Sequence, residues 1–544
     1  MAIAPLPGRP KLIHNKSGLP SSAQRYRIGR LMSVREVKDA LSGPDGELWK
    51  NAMKKEIESL NEKKTWYLVK HPPKAKVVKN RWVLTRKEDG TFKARLVAKG
   101  FTQKFGIDYL ETFSPVIRSS SVRLLLSHAH ASKMHIHHVD VKSAYLNSPI
   151  DETIYMEQPY MFDDGGDRVC LLEKSIYGLK QAAKCWHDKL IEVLSSLGLS
   201  QLKTEPCIAT SRDFGLIVGF YVDDLIILSH DLEAIRTFKS KVGEIVKITD
   251  KGEISTFVGL EIRRTNDSLR ISQPKYTQSL LERHQMELSN SEPTPFPLGT
   301  VMTPEDSDPL LTNINEYQSM VGELMYLANM TRPDISFAVG QLSRYMNQPR
   351  STHLKVAKHV LRYLQGTKYV ELVYRGQKEE MAAFSDSDYA NGVDSKSISG
   401  WMFFHRSDLV SWQCQKQTTV STSTTEAEVT AMKSLSSECV YMFELAQELR
   451  LMKPMAPVKI FCDNQAACKT VESGGSFQRT KHYRTRINFV KDCIKRKIVS
   501  VFQIGTEEML ADGLTKPLSK HRIKKLFFTS GAYLDSGGVF ESGA

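Results

Sequence analysis

Apolar residues run almost without a break from Leu216 to Leu228, and only Asp223 and Asp224 interrupt this stretch. The β-branched and aromatic residues around the acidic pair predict two strands joined by a tight turn. An unpaired carboxylate inside a buried strand is costly, so the pattern places both acidic residues on the turn. The simplest interpretation is an exposed hairpin turn, in which Asp is a common residue.

A third acidic residue ends another short stretch of alternating apolar residues. Asp140 follows Ile136 and Val139 in a predicted strand, and an aromatic residue, Tyr145, stands five positions further on. Mg²⁺ takes oxygen ligands from one or two carboxylates together with substrate phosphates. Two such ions about 3.5–4 Å apart can hold both the attacking and the leaving oxygen of a phosphoryl transfer. The acidic pair therefore suits a metal site, and Asp140 is a further carboxylate of the right kind.

The spacing of apolar residues predicts further elements along the chain. Helices are expected at 33–42, 47–61, 121–132, 182–197 and 231–246, and a mostly helical region at 317–366. A hairpin is expected from strands at 81–84 and 92–100. On its return strand Lys93, Arg95 and Lys99 alternate with apolar residues, which indicates one cationic face. The alternative for this face is an ordinary solvated surface.

The last third of the chain carries a second group of acidic residues at the ends of predicted elements. Predicted strands run into Asp386 and Asp463, and predicted helices begin near Glu428 and Asp512. Carboxylates placed in this way converge on one face of a sheet and suit a two-metal nuclease.

Composition and charge favour a nucleic-acid partner. The 544-residue chain has a formal net charge of +14 and a pI near 9.2, which suits a polyanion. Its eight cysteines include no Cys-x-x-Cys pair, so we expect reduced thiols and no zinc ribbon. Residues 1–11 lack the apolar core of a signal peptide, and no membrane span is expected. The histidines at 128–138 lack partners at a fixed spacing, so we favour an ordinary role over zinc binding.

The strand that ends at Asp140 and the Tyr-x-Asp-Asp hairpin at 221–224 resemble the palm of reverse transcriptases. From about Glu36 to about Lys520 the chain resembles the reverse transcriptase–ribonuclease H region of the Pol polyprotein of copia-type LTR retrotransposons. The resemblance implies an α+β multidomain fold. A right-hand polymerase with fingers, palm and thumb would be followed by an α/β ribonuclease H-like domain.

This resemblance also implies domain boundaries. The segments are a flexible extension at 1–32, reverse transcriptase fingers and palm at 33–290, a linker and helical thumb or connection at 291–378, a ribonuclease H-like domain at 379–520, and a C-terminal tail at 521–544. Pro-rich and acidic residues between 293 and 308 mark the linker.

Site residues follow from the positions that match family motifs. Asp140, Asp223 and Asp224 would be catalytic and would hold two Mg²⁺ or Mn²⁺ ions. The other polymerase assignments are Arg95 with Lys93, or with Lys87 as the alternative lysine, for the triphosphate, Tyr145 as a steric gate against a 2′-hydroxyl, Tyr177 and Gly178 beside the nucleotide or template, and Gly259 near the primer. For Tyr145 and Gly259 the alternatives are a core tyrosine and an ordinary strand glycine.

In the ribonuclease H-like domain the resemblance assigns two further metal ions to four catalytic carboxylates: Asp386, Glu428, Asp463 and Asp512. A register error would confuse them with Asp388 or Glu426. The segment 503–511 lacks the His that cellular relatives carry shortly before the last Asp, so proton handling is expected to differ.

The activity implied by the resemblance is RNA-directed and DNA-directed DNA synthesis with degradation of the RNA strand of the hybrid. The implied partners are an RNA template, a DNA primer and product, the RNA–DNA hybrid and dNTPs. Integrase and capsid parts of the element are further candidates, and no membrane is expected. We expect an intracellular protein in cytoplasmic particles, with the nucleus as a second location. The alternative is a catalytically decayed or domesticated relic that binds nucleic acid.

Overall fold

The computed structural model describes residues 34–528 and 533–535, with gaps at 74, 88, 214, 301, 303–307, 378–379, 391–393, 452–455 and 474–480. The predicted flexible extension at 1–32 lies outside the described residues. The chain divides into two compact units. The first contains the described parts of Met1–Ser114 and Ser143–Glu192, and the second those of Pro115–Lys142 and Val193–Ala544.

Helices and strands are both frequent in the described residues. The α-helices are α1 (Val34–Leu41), α2 (Gly46–Glu62), α3 (Ser119–Ala131), α4 (Ala182–Ser196), α5 (Leu232–Ile245), α6 (Pro274–Arg283), α7 (Ile314–Met330), α8 (Ser336–Leu342), α9 (Ser351–Gly366), α10 (Thr424–Glu448), α11 (Gln465–Ser473), α12 (Arg484–Lys495) and α13 (Lys520–Phe527). Within these ranges we find no helix with both the length and the apolar character of a membrane-spanning segment.

The strands form sheets in both units. They are β1 (Trp66–Lys70), β2 (Val77–Val78), β3 (Asn80–Arg86), β4 (Phe92–Ala98), β5 (His135–Val141), β6 (Tyr155–Met156), β7 (Arg168–Leu172), β8 (Leu199–Gln201), β9 (Ile208–Ser211), β10 (Ile217–Tyr221), β11 (Asp224–Ser229), β12 (Ile248–Glu253), β13 (Thr256–Phe257), β14 (Leu260–Arg264), β15 (Leu269–Ser272), β16 (Glu371–Tyr374), β17 (Met381–Asp388), β18 (Ile398–His405), β19 (Asp408–Lys416), β20 (Val458–Cys462), β21 (Val499–Gln503) and β22 (Leu534–Asp535). This mixture confirms the predicted α+β multidomain class.

The first unit contains a hairpin and a four-stranded sheet. The sheet has the strand order β1-β7-β6-β2, and β3 pairs with β4 in the predicted hairpin. Every second side chain of β4 is buried, namely Ala94, Leu96 and Ala98. Because strand side chains alternate in direction, Lys93 and Arg95 share the opposite face, as the sequence predicts.

The main sheet of the second unit has the strand order β12-β5-β11-β10-β9-β8. β10 and β11 form the hairpin predicted around the acidic pair. Their apolar side chains are buried because the hairpin lies inside this sheet. At Gly219 of β10, a Cβ atom would come within 3.1 Å of Leu125, so α3 packs closely on the sheet.

The predicted C-terminal tail, 521–544, contains folded elements in its described residues. A second sheet of this unit has the order β13-β14-β15-β16-β22, so the end of the described chain pairs with β16. Arg270 forms ion pairs with Glu371 at 3.0 Å and with Asp535 at 2.6 Å. Phe527 of α13 is buried as well. These contacts make α13 and β22 part of the second unit.

Helices α7, α8 and α9 form the helical region predicted at 317–366 around a shared apolar core. A buried ion pair lies within it, where Arg332 Nη2 is 2.7 Å from Asp334 Oδ2. The Tyr363 hydroxyl donates to the same carboxylate oxygen at 2.7 Å, and Arg332 donates to the Thr367 carbonyl oxygen at 2.9 Å. These partners replace the water that both buried charges have lost.

A third sheet of the second unit combines antiparallel and parallel pairing. Its order is β19-β18-β17-β20-β21, in which β17, β18 and β19 pair antiparallel, and β20 pairs parallel with both β17 and β21. The 25-residue helix α10 connects β19 to β20 and packs on β17 and β18. This is the α/β arrangement that the sequence predicts for the ribonuclease H-like part.

We expect Arg332→Met to destabilise the second unit strongly. The substitution leaves the Asp334 carboxylate buried without its cation, a loss that typically costs about 3–5 kcal/mol. Arg236→Met is the matched control, because the exposed ion pair of Arg236 with Glu233 contributes about 1 kcal/mol or less. Thermal unfolding followed by circular dichroism should give a much larger fall in Tm for Arg332→Met. Equal shifts in the two variants would contradict this expectation.

Candidate metal centres

The first acidic site, Asp140 with Asp223 and Asp224, forms where β5 pairs with β11. Asp140 stands directly opposite Asp224 in the antiparallel register, and opposite residues have Cα atoms about 4.5–5.5 Å apart. The turn before β11 consists of Val222, with a left-handed φ of +55°, and Asp223. The Val141 amide donates to the Asp223 carbonyl oxygen at 2.7 Å and ties this turn to β5. Three acidic residues from two distant segments therefore meet at one end of the sheet.

Two basic side chains contact the first acidic site. His138 Nε2 donates to Asp224 Oδ1 at 2.6 Å. Lys251 Nζ lies 3.6 Å from Asp140 Oδ2 and 3.4 Å from Asp224 Oδ1. Burial alone would raise the pKa of Asp224, but the His138 hydrogen bond and the Lys251 charge outweigh it and lower that pKa. Asp224 is therefore ionised at neutral pH, and the Lys251 ammonium group lies beside both Asp140 and Asp224.

His138 is a site residue that sequence reasoning missed. It shares a face of β5 with Asp140, because residues two apart on a strand point to the same side. Neighbouring His137 points to the opposite face, where its Nδ1 lies 2.5 Å from Lys239 Nζ. The two-residue spacing between His138 and Asp140 is the signal that could have identified this histidine.

The predicted nucleotide-binding residues cluster within the first unit. The Arg95 guanidinium carbon lies 5.0 Å from the centroid of the Tyr177 ring. That ring meets the Tyr145 ring edge-to-face, with centroids 4.8 Å apart. Lys93 lies on the same face of β4 as Arg95. Two aromatic rings and a guanidinium, which can bind phosphate through two hydrogen bonds, thus form one cluster.

Gly178 is required by close packing inside the first unit. Its φ is +92°, and a Cβ atom would come within 2.2 Å of the Ala98 carbonyl oxygen. The Ala98 amide donates to the Tyr177 carbonyl oxygen at 2.7 Å, so this loop lies directly against β4. The packing explains the glycine, and its assignment to nucleotide binding stays a prediction.

Gly259, the predicted primer-positioning residue, belongs to the turn between β13 and β14. Val258 and Gly259 have φ values of +48° and +76°, the signs that a type I′ hairpin turn requires. A Cβ atom on Gly259 would come within 2.5 Å of the Tyr326 hydroxyl oxygen. That hydroxyl donates to the Val258 carbonyl oxygen at 3.2 Å. Turn shape and the contact with α7 therefore explain this glycine, and its role toward a primer stays a prediction.

The second acidic site comprises four carboxylates from separate elements: Asp386, Glu428, Asp463 and Asp512. In the parallel register of β17 and β20, Phe384 stands opposite Phe461. Asp386 and Asp463 each follow that pair by two residues, so both lie at the carboxyl ends of neighbouring strands. The pairing of two strands thus accounts for half of the site.

The other two carboxylates come from helices. Glu428 lies near the start of α10, and its Oε1 accepts a hydrogen bond from the Ser387 amide at 3.2 Å. Ligand atoms of Glu428, Cys462 and Asp463 all lie within 4.8 Å of one another. Asp512 lies in a short 3₁₀ helix, Leu510–Leu514, where the sequence predicted the start of a helix.

Burial and mutual repulsion raise pKa values at the second acidic site. Burial is the main cause for Asp386, whose pKa rises to about 6 although Lys516 and Thr515 oppose the change. Burial is also the main cause of the strongly raised pKa of Glu428, and repulsion from Asp386 and Asp463 adds to it. A hard divalent cation takes carboxylate oxygens as ligands and would remove this repulsion. The four donors therefore fit Mg²⁺ or Mn²⁺.

Residues near the end of the chain contact the second acidic site. Lys516 Nζ lies 2.8 Å from Asp512 Oδ1, and Arg522 Nη2 lies 2.9 Å from Asp512 Oδ2. The Thr515 hydroxyl donates to Asp386. Sequence reasoning missed these contacts. A lysine four residues after an acid on a helix was the signal for Lys516, whereas Arg522 lies beyond the predicted domain boundary at 520.

Glu426, which a register error would confuse with Glu428, has a structural role. Its Oε2 accepts a hydrogen bond from the Thr422 amide at 2.8 Å and lies 2.9 Å from His482 Nε2. Its Oε1 lies 3.3 Å from Arg486 Nη1. Two residues apart on a helix, the two glutamates point in different directions. Glu428, and not Glu426, lies among the other carboxylates.

We expect Glu428→Gln and Glu426→Gln to have opposite effects. Glu428→Gln should weaken Mn²⁺ binding at least about tenfold by removing a ligand, without lowering Tm, because it relieves buried repulsion. Glu426→Gln should lower Tm, because it loses charged partners, and should keep the Mn²⁺ affinity. Isothermal titration and thermal unfolding measure both. Weaker Mn²⁺ binding in Glu426→Gln alone would reverse the assignment.

Comparison with known proteins supplies the family. Residues 63–298 match the reverse transcriptase (RNA-dependent DNA polymerase) family. The chain is 35% identical over 510 residues to the retrovirus-related Pol polyprotein from transposon TNT 1-94 of Nicotiana tabacum, covering 90% of this chain and 38% of that protein. It is 30% identical over 306 residues to a putative transposon Ty5-1 protein of Saccharomyces cerevisiae, covering 55% of this chain and 99% of that protein.

A solved structure of a foamy viral protease–reverse transcriptase in complex with double-stranded DNA is similar with a TM-score of 0.48 and 12% identity, covering 84% of this chain and 70% of that one. The chain spans less than two fifths of the plant Pol polyprotein that it matches, at 38% of its length. By its match to the reverse transcriptase family and to transposon proteins over most of its length, the chain belongs to the reverse transcriptases of retrotransposon Pol polyproteins.

Proposed function

We propose that this protein synthesises DNA on RNA and on DNA templates at the first acidic site, and cuts the RNA strand of the hybrid at the second. The observation that carries the proposal is the register that sets Asp140 opposite Asp224, with Asp223 in the connecting turn, in a chain of the reverse transcriptase family. A separate cluster of four carboxylates in the same chain, three of them buried and Asp463 half-buried, supports the second activity.

At the first acidic site Asp140, Asp223 and Asp224 would hold two Mg²⁺ or Mn²⁺ ions. Bound there, the ions would activate the primer 3′-hydroxyl and stabilise the charge on the leaving oxygens. The chain's own contribution is orientation, since His138 fixes one carboxylate oxygen of Asp224 at 2.6 Å. Lys251, which contacts two of these carboxylates, keeps positive charge beside them.

The incoming nucleotide is proposed to meet the cluster formed by Arg95, Tyr145 and Tyr177. Arg95 offers a planar donor group for the triphosphate, and its contact with the Tyr177 ring restricts its motion. The edge-to-face contact of Tyr145 with Tyr177 holds the Tyr145 ring in one orientation. A ring held in this way can exclude a 2′-hydroxyl and so select deoxynucleotides.

The second acidic site is proposed to hold two ions through Asp386, Glu428, Asp463 and Asp512. Bound there, the ions would supply a nucleophilic water and stabilise the leaving oxygen. Thr515, Lys516 and Arg522 orient Asp386 and Asp512 by the contacts described above. The proposed partners are an RNA template, a DNA primer and the RNA–DNA hybrid, which the net charge of +14 favours.

We expect Asp223→Asn to lower primer extension at least about 100-fold, the loss typical when one preorganised electrostatic group is removed, and to leave hybrid cleavage intact. Asp463→Asn should do the reverse. Extension of a DNA primer on an oligo(rA) template and cleavage of a labelled RNA–DNA hybrid, both in Mg²⁺ and Mn²⁺, measure the two activities.

Asp213→Asn is the matched control, because Asp213 is exposed in a turn and should leave both activities unchanged. Survival of both activities in both active-site variants would contradict the proposal. Tight hybrid binding by the unchanged protein without any incorporation or cleavage would instead identify a domesticated or decayed relic.

A further inference from the structure

One face of helix α3 is buried by elements that lie hundreds of residues later in the chain. Near its start, the Ser121 hydroxyl lies 2.7 Å from the Tyr441 hydroxyl of α10. Near its end, the Ser127 hydroxyl donates to Asp408 Oδ2 at 2.7 Å, at the start of β19. Arg123 lies between them. Helix α3, which packs on the sheet of the first acidic site, is thus also a docking surface for the sheet of the second.

Arg123 is the centre of this contact. Its side chain is only 3% exposed. Nε donates to the Val410 carbonyl oxygen at 2.7 Å, and Nη1 donates to the carbonyl oxygens of Asn329 at 3.0 Å and Met330 at 2.9 Å. The guanidinium carbon lies 4.1 Å from the centroid of the Trp412 ring. One side chain therefore binds β19 and the last turn of α7 at the same time.

Trp412 completes the junction. Its indole Nε1 donates to the Ala328 carbonyl oxygen at 2.8 Å, also in the last turn of α7. The last carbonyls of a helix have no partner within the helix and carry the negative end of its dipole. α7 has no basic residue of its own in that turn. Arg123 and Trp412 supply the missing donors and the positive charge from two other elements.

The buried charge of Arg123 depends on its backbone carbonyl partners. Burial lowers the pKa of Arg123 to about 10, so the guanidinium stays charged at neutral pH. Among the described residues no carboxylate forms an ion pair with Arg123, and backbone carbonyls take that place. A buried cation that loses its carbonyl partners is costly. The three elements are therefore held in one arrangement by directional bonds.

We propose that Arg123 and Trp412 are positioning residues that hold the nuclease site at a fixed distance from the polymerase site along one bound hybrid. The proposal rests on the proposed function of the two acidic sites. Cuts in the RNA strand should then fall at one distance from a primer 3′ end seated at the first acidic site. A looser junction should spread the cuts, while each site keeps its own chemistry.

The test uses the full chain with a 5′-labelled RNA template, a recessed DNA primer and no dNTP. The unchanged protein should give cuts confined to a few neighbouring positions counted from the primer end. Arg123→Met should spread them over at least about twice as many positions, with a similar total rate on a blunt hybrid. Arg123→Lys keeps the positive charge but has fewer hydrogen-bond donors, so its cuts should be less spread than those of Arg123→Met.

Arg236→Met, on the exposed face of α5, is the matched control and should keep the focused pattern. Trp412→Phe keeps an aromatic ring but removes the indole N–H donor, so it provides the test if Arg123→Met fails to fold. Scattered cuts by the unchanged protein, or focused cuts by a folded Arg123→Met and by Trp412→Phe, would overturn the proposal.

Hydrogen–deuterium exchange tests the junction formed by Arg123 and Trp412 independently of the two proposed activities. Trp412→Phe should raise amide exchange at least about fivefold in the last turn of α7 and in β19, and should leave β5 and β11 unchanged. If the unchanged protein showed neither primer extension nor hybrid cleavage, the proposed function would be contradicted. Unchanged exchange at α7 and β19 would overturn the junction whatever the activities are.

Discussion

Antiparallel pairing of β5 with β11 makes Asp140 face Asp224, although two carboxylates placed opposite each other repel. The apolar side chains of β11, which are buried on both faces of the sheet, and the hydrogen bond from the Val141 amide to the Asp223 carbonyl oxygen hold this register. The sheet thus assembles an anionic site that its own backbone cannot neutralise. His138 and Lys251 neutralise part of this charge, and the proposed divalent cations would neutralise the rest.

The second acidic site obeys the same constraint with different elements. Parallel pairing of β17 with β20 brings Asp386 and Asp463 together, and the burial that follows raises the pKa of Asp386 to about 6. Lys516 corresponds to Lys251, since each is a lysine of the same chain that contacts the carboxylates. At both sites a lysine therefore neutralises part of the carboxylate charge without any metal ion. A metal ion must compete with a tethered ammonium group at each of them.

The sequence was most informative where a residue interrupts a periodic pattern. Two adjacent acids in an apolar run predicted a turn, and the structure has that turn between β10 and β11, but it consists of Val222 and Asp223, and Asp224 is the first residue of β11. It was less informative about contacts between distant elements. Nothing in the spacing of Arg123 or Arg522 indicates that one binds the end of α7 and the other holds Asp512. Nor does a glycine in sequence reveal whether a ligand or a neighbouring backbone requires it, as Gly178 illustrates.

We propose that two separate carboxylate clusters of this chain hold divalent cations. Anomalous diffraction from crystals of the full chain soaked in Mn²⁺ tests it most directly, because the anomalous signal locates the metal itself. We expect strong peaks beside Asp140 and Asp224, and a second group among Asp386, Glu428, Asp463 and Asp512. Peaks confined to other surface carboxylates, with both clusters free of metal at saturating Mn²⁺, would contradict it.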